Sequence, residues 1–132
     1  MLRGVAQAQN QFNDNNVLND QLLEIAIAND ANKPNKAKSI AQELVKDPSI
    51  LGVIGHYTSD ASDAALPEYT KAGLSIVSPT STSTSLKSDV FFRTVPSDAA
   101  TGTTLAEYAK KSGINTVVFF YNPNKKYSNS LT

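Results

Sequence analysis

The feature that most limits the fold of this chain is its alternation of short apolar runs with amphipathic stretches of helical period. Ala37, Ile40, Ala41, Leu44 and Val45 recur at i, i+3, i+4, i+7 and i+8, one apolar stripe on a helix. An apolar run of strand length, residues 50–55, follows. It reads as a parallel strand covered on both faces, where no polar alternation is needed. The same alternation recurs downstream, with strands expected at 74–78, 90–95 and 116–121. Strands interleaved with helices predict an α/β domain: a three-layer parallel sheet with helices on both faces.

Local signals divide the chain further. Val5, Ala8 and Phe12 place a helix at residues 3–13, and the Asn- and Asp-rich residues 13–20 read as a turn. Residues 22–28 read as a strand. Asn32 is the expected cap of the striped helix, with Pro34 near its first position, and Asp47-Pro48 ends it. Ser59 or Asp60 is expected to cap a helix that Pro67 kinks and Gly73 closes. Ser97 or Asp98 caps a further helix, which Ser112-Gly113 terminates; a polar tail follows residue 121. A doubly wound domain usually opens with a central strand, whereas this chain opens with a helix.

Composition narrows the function. Twelve Lys and Arg balance twelve Asp and Glu, and no basic run concentrates charge, so nucleic acid is not an expected partner. The absence of cysteine excludes disulfides and thiol chemistry, and a single histidine, His56, excludes a multi-histidine metal centre. No cofactor is expected. No apolar run approaches the roughly 20 residues of a membrane helix, and the first residues carry no signal-peptide core. At 132 residues the chain is long enough for one ordinary domain.

Ligands of open α/β sheets bind beyond the carboxyl ends of the strands. That rule selects residues 55–60, 79–83 and 122–130. Ser59 opens a helix, whose free N–H groups and dipole suit an anion, although a plain helix cap explains the same serine. Thr80 and Thr82 offer hydroxyls in a segment that also reads as a solvated loop. Tyr127 could stack on a ligand or lie exposed. His56, Ser59 and Asp60 are too close in sequence for a catalytic triad, which draws on separated segments. No nucleophile elbow, phosphate loop or dinucleotide fingerprint occurs. An enzyme is therefore not expected.

Taken in order, several motifs resemble those of the type I periplasmic binding proteins that serve branched-chain amino-acid ABC transporters. They are Gly4-Val5-Ala6-Gln7-Ala8, Asn29-Asp30 with Pro34, and Gly52-Val53-Ile54-Gly55-His56 with Ser59. Ala72-Gly73, Ile76-Val77-Ser78-Pro79-Thr80 through Thr82 and Leu86, Phe92-Arg93-Thr94, Asp98, Gly102 and Tyr127 complete the set. The resemblance covers nearly the whole chain. It implies a non-catalytic solute-binding protein that closes two lobes around an amino acid and delivers it to a membrane permease. It also implies a periplasmic or extracytoplasmic location. Ser59 then takes the ligand carboxylate through its hydroxyl, and Thr82 binds the same end through hydroxyl and N–H. Thr80 offers its carbonyl to the ammonium, and Tyr127 covers the ligand from the second lobe.

The same resemblance implies a division into residues 1–96, a first lobe without its first strand, and 97–132, the beginning of the second. The family's secretion signal and first strand have no counterpart in this sequence. From this follow expectations of weak binding by this chain alone and of self-association, with strand 116–121 a candidate to fill the gap. The same fold also serves as the ligand-sensing domain of membrane receptors and signalling kinases, an alternative that the residues leave open.

Overall fold

The computed structural model describes residues 1–16 and 21–130. Residues 17–20 of the predicted turn and 131–132 of the predicted tail lie outside the described residues. The elements run α1 (Leu2–Asp14), α2 (Pro34–Leu44), β1 (Val53–Ile54), α3 (Ser59–Ala72), β2 (Ile76–Ser78), β3 (Phe91–Arg93), α4 (Asp98–Lys111) and α5 (Lys126–Asn129).

The three strands form a parallel sheet in the order β1-β2-β3. Val53 lies opposite Ile76 and Ile76 opposite Phe91, so these three share one face. All three join the core, in which Ala37 and Ala41 of α2 meet Ala61, Ala65, Leu66 and Tyr69 of α3. The alanines explain the close approach of α2 and α3, because a methyl group allows two backbones to come together. Ile54, Val77 and Phe92 occupy the opposite face by the same register. There Ile54 and Pro79 join Val5, Ala8 and Phe12 of α1, with Leu23 and Ile25, around an open apolar groove of about 410 Å³. The predicted α/β architecture, with a parallel sheet between helices, is therefore present.

Among the described residues, two predicted strands are absent from the sheet. Residues 22–28 form no ladder among the described residues; instead Asn13 takes both backbone groups of Leu23, accepting its N–H at 2.8 Å and donating to its carbonyl at 3.1 Å. Gln9 donates to the same carbonyl at 2.9 Å. Side-chain bonds from α1 thus replace a neighbouring strand. Residues 116–121 also lack a ladder partner among the described residues and are exposed, Phe120 to 96%. They do not fill a gap in the sheet.

Helix ends differ from expectation in two places. Asn32 does not cap α2, because it sits in a left-handed turn (φ 55°), and a cap requires extended backbone. Asp30 accepts the Asn32 N–H at 2.8 Å in that turn, and Lys33 occupies the cap position before Pro34. The cap of α3 is Thr58, not Ser59 or Asp60: its hydroxyl accepts the Ala61 N–H at 3.3 Å. α3 continues unbroken through Pro67 and ends at Gly73, left-handed at φ 70°. Ser97 caps α4 as expected.

Candidate functional site

The cap assignment changes what Ser59 can do. Thr58 satisfies the Ala61 N–H with its side chain and the Ser62 N–H with its carbonyl. The N–H groups of Ser59 and Asp60, which have no intrahelical acceptor, remain without protein partners among the described residues. Ser59 is itself buried, at 5% exposure, and its hydroxyl is not engaged in capping. The plain-cap explanation of Ser59 is thereby removed. What stands at the start of α3 is a hydroxyl beside two free donors and the positive end of a 14-residue helix.

The segment after β2 lies against this helix end. Ser62 is one turn along α3 from Ser59, and its hydroxyl meets that of Ser81 at 2.9 Å. Thr80 donates its hydroxyl to the Tyr57 carbonyl at 2.8 Å. The Thr82 hydroxyl is buried and has no partner among the described residues. A buried hydroxyl without a partner is uncommon and calls for an explanation, because leaving one unmatched costs about 1–3 kcal/mol.

Tyr127 lies on α5, which is tied to the start of α3. The N–H of its neighbour Lys126 donates to Asp60 at 2.9 Å, and the side chains of Lys125 and Lys126 pair with Asp60 and Asp63. Tyr127 itself is about half exposed. Ser130 donates to the carboxylate of Asp98, and Asp98 N–H donates to the Thr82 carbonyl at 2.9 Å. The four predicted residues therefore fall on three segments tied together at the start of α3: Ser59 on the helix, Thr80 and Thr82 on the loop after β2, Tyr127 on α5.

Sequence reasoning missed a second group. His56 is buried at 7% exposure and donates through Nδ1 to Asp30 at 2.6 Å. In the neutral ring Nε2 then accepts the Tyr69 hydroxyl, 3.1 Å away. Burial raises the Asp30 carboxyl, but the Asn32 N–H, His56 and Lys36 outweigh it and hold it below its usual 3.8. A depressed carboxylate contributes stability in full above its unfolded value and loses it as pH falls through the folded one. Asp30→Asn is accordingly expected to flatten the fall of the urea midpoint between pH 5 and pH 3. An unchanged slope would show that Asp30 makes no such contribution. Among the described residues no cluster of His, Cys, Asp and Glu could hold a metal ion, and no helix is long and apolar enough to cross a membrane.

Comparison with known proteins identifies the family. The periplasmic binding protein family model matches residues 1–132. An ABC transporter substrate-binding protein from Desulfitobacterium hafniense, solved in complex with Leu, superposes with a TM-score of 0.87. Its identity is 31%, over 97% of this chain and 39% of that one. The branched-chain amino acid transporter substrate binding protein LivJ from Streptococcus pneumoniae, in complex with isoleucine, gives a TM-score of 0.74 at 25% identity. That match spans 83% of this chain and 32% of the other. An amino acid binding protein of Pseudomonas aeruginosa is 31% identical over 80 residues, 61% of this chain and 21% of its own length. The chain thus spans well under half the length of these relatives. With its parallel sheet and a family match along its whole length, this chain belongs to the periplasmic binding protein family.

Proposed function

We propose that this chain is part of a solute-binding protein of an ABC transporter, holding an amino acid between two lobes without chemical turnover. The observation that carries the reading is the unpartnered, buried Thr82 hydroxyl, on a segment that the Ser62–Ser81 contact ties to the helix whose first N–H groups are free. A ligand carboxylate supplies the acceptors that these donors lack. The Thr80 carbonyl receives the ammonium, and Tyr127 lies over the ligand. Residues 1–96 belong to the first lobe and 97–132 begin the second. The leucine and isoleucine complexes of the relatives favour an aliphatic amino acid. The family context favours a periplasmic location and delivery to a membrane permease.

The groups assembled here match the carboxylate better than the ammonium, for which they offer one carbonyl. Affinity for L-leucine is therefore expected to be weak, on the order of 1 mM. Backbone NMR shifts on titration with a panel of amino acids test the reading. Saturable shifts at residues 59–62 and 80–82 support it, and Thr82→Val should weaken binding about 10-fold. No shift there with any amino acid at tens of millimolar overturns it.

The exposed apolar side chains of Ile54, Phe92 and residues 117–121 also favour association between copies of this chain. Light scattering is expected to report a dimer or larger species at low micromolar concentration. A well-folded monomer there would rule that association out.

A further inference from the structure

We infer that His56 is a positioning residue for the segment that carries Thr80 and Thr82, acting through its own main chain while Asp30 and Tyr69 hold its ring. The inference rests on the proposed ligand site for its functional meaning, although the positioning itself is a property of the free protein.

The imidazole joins three separated parts of the fold. Asp30 lies in the turn before α2, His56 follows β1, and Tyr69 is in the third turn of α3. Both ring nitrogens are engaged, and the ring stacks at 21° to that of Tyr69, centroids 6.0 Å apart. The ring is thus held from both ends and on one face.

The His56 carbonyl is where that order reaches the candidate site. The hydroxyls of Ser78 and Ser81 each lie 3.4 Å from this one oxygen, and the Thr80 hydroxyl donates to the next carbonyl along, that of Tyr57, at 2.8 Å. A carbonyl has two lone pairs, so it can receive both serine hydroxyls, and its position, with that of the adjoining Tyr57 carbonyl, sets where all three hydroxyls sit. Ser78 also accepts the Ser81 N–H at 3.0 Å, and Ser81 meets Ser62. A displacement of the His56 backbone therefore propagates to Ser78, Thr80 and Ser81 together, and so to Thr82 next in the chain. In the other direction His56 precedes the cap Thr58 by two residues and Ser59 by three.

None of this needs the imidazole to touch a ligand. Its neighbours fill both nitrogens, which argues against direct contact. The ring acts at one remove, by holding a turn from which both sides of the site extend.

Amide hydrogen exchange in the free protein tests this. His56→Leu preserves bulk and removes both hydrogen-bonding nitrogens. Exchange at Ser81, whose N–H donates to Ser78, is expected to accelerate at least 10-fold, while Ala41 and Val45 in and after α2 change less than twofold. His56→Asn keeps a donor near the Nδ1 position and should restore more than half of the lost protection. Should His56→Leu not fold, Asp30→Ala removes the same support from outside the core and is read in its place. Equal acceleration throughout the chain, or none at residues 78–82, overturns the positioning role.

L-leucine shifts at Ser59 and Thr82 in the same variants separate the two proposals. If the unmodified chain binds no amino acid, the ligand reading fails, and the exchange pattern still decides the role of His56.

Discussion

Tyr69→Ala is expected to cost about 3–5 kcal/mol, the range for emptying a buried aromatic site. Tyr69 has no exposed surface and is the largest fully buried side chain among the described residues. It lies at the centre of the α2–α3 core, so the cavity opens where neighbouring alanines have no reach to refill it. Tyr69→Phe separates the ring from the hydroxyl. It keeps the volume, leaves His56 Nε2 unmatched, and is expected to cost about 1 kcal/mol at neutral pH. Burial, reinforced by the nearby Asp30 carboxylate, pushes the Tyr69 phenol up to about 12 from 10.0. The fold therefore favours the neutral phenol. Its contribution is complete below pH 10 and is lost as pH rises toward 12, because the unfolded tyrosine ionises first. The loss amounts to about 1–2 kcal/mol after allowance for solvent screening. Phenylalanine does not titrate, so the difference between wild type and Tyr69→Phe should shrink between pH 8 and pH 11. Urea midpoints at the two pH values measure it, and a constant difference would refute the assignment.

The parts of this fold that rest on local pattern were legible in the sequence. The stripe from Ala37 to Val45 required only neighbours three and four residues apart, and its two alanines are fully buried against α3. Gly73 announced a left-handed helix end for the same local reason. Strands are different, because a run becomes a strand only when another chain segment supplies the ladder. Residues 116–121 have strong strand composition and no partner among the described residues, and no periodicity could have revealed that. The cap of α3 was ambiguous because Thr58, Ser59 and Asp60 can all serve. Backbone conformation decides, and Thr58 is the extended one. The strand-end rule pointed to the segments that hold Ser59, Thr80, Thr82 and Tyr127, but cap, loop or surface explained each residue equally, and only the family resemblance gave each a role. Asp30, His56 and Tyr69 are 26 and 13 residues apart, and only the tertiary fold joins them. A lone histidine beside a glycine-rich strand end was the available signal, and it named neither partner.

Arg93→Ala is expected to destabilise the chain by about 2–4 kcal/mol and to loosen residues 83–86 before the rest of the sheet. The guanidinium donates from both terminal nitrogens to the Ser83 carbonyl at 3.2 Å, and from one of them to the Leu86 carbonyl at 3.1 Å. It also lies 5.0 Å from the centroid of the Phe91 ring. One side chain at the end of β3 thus fastens the loop that carries Leu86 into the core, where Leu86 is only 2% exposed. Alanine removes these charge-assisted bonds and uncovers Phe91. Lysine is expected to recover less than half of the loss, because a single ammonium cannot reproduce the planar fork that reaches two carbonyls and stacks on a ring. Denaturant midpoints give the stability, and amide exchange at Leu86 gives the location. If Arg93→Lys matched wild type, the geometry of the fork would be irrelevant. If exchange at Leu86 and at Ile76 rose together, Arg93 would support the sheet as a whole. The loop it anchors continues directly into Thr80 and Thr82. The loss of Arg93 should therefore also weaken the L-leucine response at Thr82, although no atom of Arg93 need approach the ligand.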